Sequence, residues 1–324
     1  MMSTSTTASA RRGRRATAAV AVGAAALLVL TGCGDGDSLE DEGGDSGGDK
    51  GSLVIGAGDF TEGKVLAELY AQLLSDAGYQ TSTKTAKREL YLPELEKGAV
   101  DIVPEYAATL AEFLNRKVNG PSAKPVASPD VQATVRELRT LADKAGLKVL
   151  EPGKAVDQNA FAVSKDYAKE HNLTTLSDLG KAKLKVKLAA GDECPDRPYC
   201  EPGLEKTYGI DITEVDPKGV GTVAAKQAVK TGSDQLVLTT TTDATLDQFG
   251  LVLLEDDKHL QNADNVVPVV NAKDAGSAEI AEVLNKLTEV LTTEDLTELN
   301  KKVDARREKP GDVAKEYLKS KGLI

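Results

Sequence analysis

Residues 53–78, LVIGAGDFTEGKVLAELYAQLLSDAG, contain the pattern of one complete strand, turn and helix. The apolar run 53–55 is typical of a buried strand, and the Gly-Ala-Gly sequence after it predicts a turn. Thr61 is then expected to cap a helix, with Glu62 favourably placed in its first turn. Apolar residues recur in this helix at three- and four-residue spacing, and Gly78 predicts where it ends.

The alternation of strand-like and helix-like segments continues along the chain and predicts an α/β architecture built on central sheets. The last three predicted helices follow one another without an intervening strand, so we expect this tail to pack back on an earlier part of the fold. Further strands are predicted at Thr81–Thr85, Val100–Val103, Lys148–Leu150, Ala160–Val163, Lys185–Ala189, Leu236–Thr239, Val252–Leu254 and Val266–Val270.

Residues 1–32 have the features of a secretory signal peptide. Residues 1–15 contain four arginines and no acid. Residues 16–30 form an apolar run that is shorter than the about 20 residues needed to span a bilayer. Leu30-Thr31-Gly32-Cys33 resembles a lipobox, the signal after which a cysteine is diacylated and becomes the mature N-terminus. We therefore expect lipid on Cys33 to anchor the protein to the outer face of the cell membrane.

Residues 33–51, from the lipidated cysteine onward, are predicted to be a flexible acidic linker. They are rich in Gly, Asp and Glu, and Leu39 is the single large apolar side chain before Lys50. Such a segment buries too little apolar surface to fold. By random-coil scaling a tether of this length spans roughly 20–25 Å, which leaves a folded domain free to reorient over a membrane partner.

The charge balance excludes one class of partner. The chain has 40 basic and 51 acidic residues and a formal net charge of −11. A nucleic-acid-binding face needs clustered Lys and Arg, so nucleic acid is not an expected partner. The excess of acid favours solubility and weakly attracts cations.

Two cysteines remain after Cys33, and they are close together in sequence. An exported protein with two nearby cysteines most simply forms one disulfide, so we expect Cys194 and Cys200 to be bridged. The closed loop is short, and its chain entropy contributes only roughly 2 kcal/mol, enough to hold a local loop rather than the fold. The two histidines, His171 and His259, stand alone in polar surroundings, so no metal site is predicted.

No sequence motif of catalysis is found. The third glycine of a G-x-G-x-x-G dinucleotide loop would fall on Thr61, and there is no Walker lysine motif. No G-x-S-x-G sequence joins a predicted strand to a predicted helix, and no H-E-x-x-H helix is present. The sequence therefore predicts a protein that is not an enzyme and that needs no cofactor.

Four segments, in order along the chain, carry a resemblance to a known family. They are Gly56–Glu62 (GAGDFTE), Glu94–Thr109 (ELEKGAVDIVPEYAAT), Gly191–Gly209 (GDECPDRPYCEPGLEKTYG) and Leu253–Asn271 (LLEDDKHLQNADNVVPVVN). Together they resemble the substrate-binding proteins of glycine betaine/carnitine/choline ABC importers, the osmoprotectant-uptake family. The resemblance implies a type II periplasmic-binding-protein fold, in which two α/β lobes are joined by two hinge crossings with a ligand cleft between them. Lobe one would comprise residues 52–157 plus 259–324, and lobe two residues 158–258.

The resemblance also implies a ligand site. In this family a trimethylammonium head lies in a cage of aromatic side chains, because a quaternary cation forms no hydrogen bonds, and a carboxylate end meets Arg and hydroxyl donors. Tyr106 corresponds to a cage tyrosine, and Phe161 stands in place of another. Thr109 is implied as a nearby hydroxyl donor. Arg197 corresponds to the carboxylate-binding arginine of lobe two.

Two further positions depart from the family pattern. Thr240 and Asp264 stand where the family has aromatic residues, so the aromatic cage is incomplete. A carboxylate facing the cleft at Asp264 would pair with a cation or accept from an N–H group, whereas the alternative for this residue is a solvent-exposed loop acid. We therefore expect a betaine-like or other cationic amine ligand, including one that carries hydrogen-bond donors.

The function implied by the resemblance is that of an extracytoplasmic solute-binding component of an ABC importer. A monomer would capture a small quaternary-ammonium or other cationic or zwitterionic compatible solute and deliver it to a separate membrane permease. Three alternatives remain open: a solute-binding protein for a different small amine or amino acid, a surface sensor that signals to a receptor, and a secreted enzyme on a similar two-lobed fold.

Overall fold

The computed structural model describes residues 50–324. The predicted signal peptide, Cys33 and the linker up to residue 49 lie outside the described residues, so those expectations stay predictions. None of the helices formed by residues 50–324 is long and apolar enough to span a bilayer.

Strands and helices alternate along most of the described chain. The strands are β1 (Ser52–Gly58), β2 (Gln80–Ala86), β3 (Ile102–Tyr106), β4 (Leu147–Val149), β5 (Asn159–Ser164), β6 (Lys185–Ala190), β7 (Asp211–Pro217), β8 (Leu236–Thr240), β9 (Leu251–Leu254) and β10 (Val266–Asn271). The helices are α1 (Thr61–Asp76), α2 (Arg88–Lys97), α3 (Ala107–Asn119), α4 (Val131–Asp143), α5 (Lys165–His171), α6 (Leu176–Ala182), α7 (Glu201–Gly203), α8 (Val223–Thr231), α9 (Ala278–Val290), α10 (Thr293–Asp304) and α11 (Pro310–Ser320).

Two five-stranded sheets divide this part of the chain into two lobes. The strand order is β2-β1-β3-β10-β4 in lobe one and β7-β6-β8-β5-β9 in lobe two. In lobe one β1 is parallel to β2 and β3, and in lobe two β6 is parallel to β7 and β8. Strands β10 and β5 are antiparallel to both of their neighbours. Each of them is the first strand after the chain crosses from one sheet to the other. The predicted two-lobed α/β fold is confirmed.

Helices cover both faces of the lobe-one sheet. Side chains of α1 and of the closing helices α9, α10 and α11 form one apolar cluster with the sheet. Side chains of α2, α3 and α4 form another. The neighbouring residues Ile102 and Val103 of β3 belong to different clusters, because successive side chains of a strand point to opposite faces. In lobe two Phe161 and Ala162 of β5 are divided in the same way.

Helix α1 begins differently from the sequence prediction. Phe60, in extended backbone, precedes the first helical residue, and no side chain caps the helix there. The Thr61 hydroxyl instead donates to Asp304 Oδ1 of α10 at 2.6 Å. The prediction of Thr61 as the N-cap was therefore wrong. The predicted end is close to the observed one, since α1 ends at Asp76 and Gly78 follows with φ 97°.

Candidate ligand-binding cleft

A cavity of about 520 Å³ lies where the two lobes meet. Strand β3 of lobe one ends at the cavity wall with Tyr106, and strand β8 of lobe two ends there with Thr240. Crevices at the carboxyl ends of sheet strands are a usual place for ligands in open α/β folds. The volume is in the range of small-molecule sites. Five of the six predicted ligand residues line this cavity: Tyr106, Thr109, Arg197, Thr240 and Asp264.

The aromatic part of the lobe-one wall is Tyr106. This residue is 8% exposed, so little of it is open to solvent. The Phe60 ring lies beside it, with 6.4 Å between the ring centroids, and is 46% exposed. The Tyr106 hydroxyl donates to Glu62 Oε1 at 2.5 Å, which fixes the ring and directs its hydroxyl away from any ligand.

Asp264 caps α3 from the second chain crossing. The Thr109 N–H donates to Asp264 Oδ1 at 2.9 Å, and the Thr109 hydroxyl donates to Oδ2 at 2.5 Å. Tyr106, the residue that precedes α3, provides no side-chain cap, so Asp264 satisfies this helix end. Burial raises the pKa of Asp264 to about 6, although both bonds from Thr109 oppose the shift. The residue is a half-buried cap that also lines the cavity, and not an exposed loop acid.

A second pair of acids lies behind Tyr106. Glu62 is 4% exposed, and its Oε2 accepts from Asn300 Nδ2 at 2.7 Å. Asp157, on the first chain crossing, lines the cavity and accepts from the Thr242 hydroxyl at 2.9 Å. Burial and the charge of Asp157 raise the pKa of Glu62 to about 7, and burial raises the pKa of Asp157 although a hydrogen bond with Glu62 lowers it. Residues of both lobes and of α10 in the tail therefore surround this pair at the wall of the cleft.

Glu105 is another buried acid beside the cleft, but its charge is balanced by an arginine. Its side chain is 0% exposed, and its two oxygens accept from Arg88 Nε at 2.8 Å and Nη2 at 2.9 Å. The Tyr91 hydroxyl donates to Glu105 Oε1 at 2.5 Å. Tyr91 is therefore part of this buried network, and it is not among the residues that line the cavity.

The lobe-two wall includes a short disulfide-closed loop. Cys194 and Cys200 are bonded, with 5.3 Å between their Cα atoms, and the loop carries Arg197 and Tyr199 into the cavity wall. Arg197 is exposed, and its guanidinium has no hydrogen-bond or ion-pair partner among residues 50–324. Arg116 of α3 lines the lobe-one side and is equally exposed and unpaired within the same range. Two free guanidinium groups are thus available to an anionic group of a ligand.

Phe161 lies in the core of lobe two and not in the cavity wall. Its side chain is 1% exposed and belongs to an apolar cluster of that lobe. Strand β5 pairs Asn159 with Thr240 and Phe161 with Leu238. Residues two apart share a face but lie about 7 Å apart along a strand. Asn159 lines the cavity and so does Leu238, the partner of Phe161 on β8, whereas the Phe161 ring is enclosed by the apolar cluster of lobe two.

Sequence reasoning did not identify several residues of this region as part of the site. Asp157, Asn159, Tyr199 and Arg116 all line the cavity. A signal was present for Tyr199, since it directly follows the Arg197-Pro198 pair inside the cysteine loop. No local signal marks Asp157 or Arg116, because only the fold brings the crossing and the third turn of α3 to one cavity.

Known proteins match nearly the whole of the described chain. A family model described as the substrate-binding domain of the ABC-type glycine betaine transport system matches residues 51–320. The glycine-betaine-binding protein of Pseudomonas aeruginosa is 26% identical over 287 residues, which cover 84% of this chain and 89% of that protein.

Two solved structures share the fold. That of apo YehZ from Escherichia coli is 25% identical, has a TM-score of 0.70, and is matched over 84% of this chain and 99% of that one. A crystal structure titled as a glycine betaine/carnitine/choline ABC transporter is 22% identical, has a TM-score of 0.72, and is matched over 84% of this chain and 99% of that one.

Proposed function

The chain belongs to the family of substrate-binding domains of ABC-type glycine betaine transport systems, and from this premise we propose that its cleft captures a small quaternary-ammonium or other cationic or zwitterionic solute for delivery to the membrane permease. The observation that carries the proposal is the division of charge in the cavity. Within residues 50–324, Asp157 and Asp264 lie at the chain crossings without a basic partner, and Arg116 and Arg197 line the cavity without an acidic one. This arrangement complements a solute with a cationic head and an anionic end.

The two lobes contribute different parts of the site. Lobe one supplies Tyr106, whose aromatic ring offers a cation–π surface for a trimethylammonium group. Lobe two supplies Arg197, a free guanidinium that suits a carboxylate. A ligand that touches both would favour hinge closure, because its contacts are complete only when the lobes approach.

We also propose that the mature protein is a lipid-anchored monomer without catalytic activity. The support for the anchor is the Leu30-Thr31-Gly32-Cys33 sequence and the acidic linker after it. We place the lobe boundaries at residues 157/158 and 258/259, within the two segments where the chain passes between the sheets.

The test is calorimetric titration of the purified protein with glycine betaine, carnitine and choline. Arg197→Ala should weaken the two carboxylate-bearing ligands by tenfold or more and choline much less, because only the first two have a group for it to pair with. Arg306→Ala is the matched control, since this arginine pairs with Glu298 on the surface of the tail. If none of these three solutes binds, the cleft is not a quaternary-ammonium site.

A primary or secondary amine is the second candidate ligand, and one observation favours it. Only two aromatic side chains, Tyr106 and Tyr199, are among the residues that line the cavity within the described chain, whereas four acids line it: Glu112, Asp157, Glu193 and Asp264. Carboxylates accept from N–H donors, which a quaternary ammonium lacks. A polyamine or an amino acid that binds more tightly than choline and glycine betaine would support this candidate.

A further inference from the structure

The inference concerns Asp157 and rests on the proposed function. Of the two acids Glu62 and Asp157, only Asp157 is among the residues that line the cavity. Glu62 lies behind it, buried and held by donors from Tyr106 and Asn300. Asp157 is therefore the acid that is accessible to a ligand, and Glu62 is the acid that is bonded to protein groups.

No base compensates either acid. Among residues 50–324 no lysine or arginine forms an ion pair with Glu62, Asp157 or Asp264, whereas the two oxygens of Glu105 are bound by Arg88. Asn300 Nδ2 donates to Glu62 Oε2 at 2.7 Å and to the Thr242 carbonyl at 3.5 Å, and the Thr242 hydroxyl donates to Asp157 at 2.9 Å, so Asn300 and Thr242 link the two carboxyl groups. Two neighbouring buried carboxyl groups cannot both carry a charge at low cost, so such a pair holds one proton between them.

The surroundings of the pair are neutral donors and further negative charge. Arg88 is engaged by Glu105, and Arg116 and Arg197 line the same cavity but form no ion pair with either acid within residues 50–324. The neutral donors are Tyr106 from β3, Asn300 from α10, and Thr240 and Thr242 from lobe two, and the negative neighbours are Glu105 from β3 and Asp264 from the second crossing. A cationic ligand in the cavity would be the first positive charge at this position.

We propose that Asp157 receives the cationic head of the ligand. In the free protein Glu62 and Asp157 share one proton, and this proton leaves for solvent when the cation binds. Before binding, the pair carries one proton and a charge of about −1. After binding, both carboxylates are ionised and the cation balances the added charge. The hydroxyl of Tyr106 and the amide of Asn300 already point at Glu62 and stabilise its carboxylate.

The pH dependence follows from the proton balance. Below the pKa of Glu62, about 7, the free protein holds the proton, and binding must expel it. Affinity for a permanent cation should therefore rise with pH by up to about tenfold per pH unit below 7 and level off above it. A site without the shared proton would bind a permanent cation equally well across this range.

The experiment is titration calorimetry of the whole protein with choline, whose charge does not change between pH 5 and 9. Titrations at pH 6 and pH 8.5, each in two buffers of small and large ionisation enthalpy, count the protons released. We expect a release close to one proton at pH 6 and close to zero at pH 8.5. This measurement needs no variant, so it holds even if a substitution damages folding.

Three variants assign the proton. Glu62→Gln should abolish the release and make the choline affinity independent of pH from 6 to 8, because the glutamine keeps an acceptor for Tyr106 but has no proton to lose. Asp157→Asn should weaken choline by tenfold or more at pH 8. Glu298→Gln, a surface glutamate paired with Arg306, is the matched control and should behave as wild type.

The outcomes are distinguishable. Choline binding without proton release at pH 6 overturns this inference and leaves the proposed function in place. Release that persists in Glu62→Gln but disappears in Asp264→Asn also overturns it, because the proton then belongs to the α3 cap. Failure of choline, glycine betaine and carnitine to bind at any pH overturns this inference and the proposal that the cleft captures a quaternary-ammonium solute.

Discussion

Glu105 and Glu62 are two buried glutamates of lobe one whose surroundings differ in one respect. Glu105 is bound by both nitrogens of an Arg88 fork, so its charge is compensated within the protein. Glu62 has only neutral donors, and its nearest charged neighbour is another acid, Asp157. Breaking a buried pair costs several kcal/mol, whereas a carboxyl without a base stays partly protonated. The comparison distinguishes a buried charge that is paired within the protein from one that is available to pair with a ligand.

The largest expected effect is on the compensated side. Arg88→Met should destabilise the protein by about 3 kcal/mol, because it leaves the fully buried Glu105 without its base. Arg306→Met removes a surface pair of the same type and should cost no more than about 1 kcal/mol. Urea unfolding of the two variants at pH 7 measures the difference. Equal losses would mean that Glu105 is no more dependent on a base than a surface acid.

The uncompensated side predicts a pH dependence of stability. The pKa of Glu62 is raised from 4.5 to about 7 in the folded protein, so the proton stabilises the fold. This stabilisation is fully present below pH 4.5 and is lost as the pH rises toward 7. Each unit of pKa difference is worth about 1.4 kcal/mol. The unliganded protein should therefore lose stability between pH 5 and 7.5, as measured by urea unfolding at a series of pH values.

Two variants divide that slope between acids. Glu62→Gln should flatten the upper part, between pH 6 and 7.5, because the amide does not titrate. Asp264→Asn should flatten the lower part, between pH 4 and 6, since the pKa of Asp264 is raised to about 6. Asparagine keeps an acceptor for the Thr109 N–H, so the cap of α3 survives. If the stability of the wild-type protein is constant from pH 5 to 7.5, the view that Glu62 is a buried acid without a compensating base is wrong.

The same contrast explains what the sequence could predict. Strand and helix alternation, the two lobes and the cysteine pair follow from local patterns and from resemblance. Local spacing predicts only that Glu62 is a favourable acid in the first turn of a helix. Its partners Tyr106 and Asn300 lie 44 and 238 positions away, so the sequence does not reveal them. The partner of Thr61, Asp304, is also remote, so local spacing predicts a cap at Thr61 instead. Local spacing identifies a residue's element but not the groups that the fold brings to it.

Thr242 offers a smaller perturbation of the pair. Thr242→Val removes the hydroxyl that donates to Asp157 and should cost about 1–2 kcal/mol, because a buried acceptor loses its partner. Loss of this donor also raises the pKa of the pair, so the pH at which choline affinity levels off should move upward. Thr288→Val, a buried threonine of α9 that bonds Asn285, should lose comparable stability without moving that pH. An unchanged profile in Thr242→Val would remove Asp157 from the pair.

The smallest expected effect extends the comparison to β5, where one residue is satisfied by the fold and its neighbour on the same face is open to the cleft. Phe161 is enclosed by apolar side chains of lobe two, so Phe161→Leu should cost about 1 kcal/mol of stability and leave choline and glycine betaine affinity unchanged. Asn159→Ala should do the reverse, since an exposed side chain contributes within about 0.5 kcal/mol to stability but this one faces the ligand. Thermal unfolding and calorimetric titration of both variants measure the two quantities separately. If Phe161→Leu weakens ligand binding while Asn159→Ala does not, the Phe161 ring is a wall of the site, and its assignment to the core of lobe two is wrong.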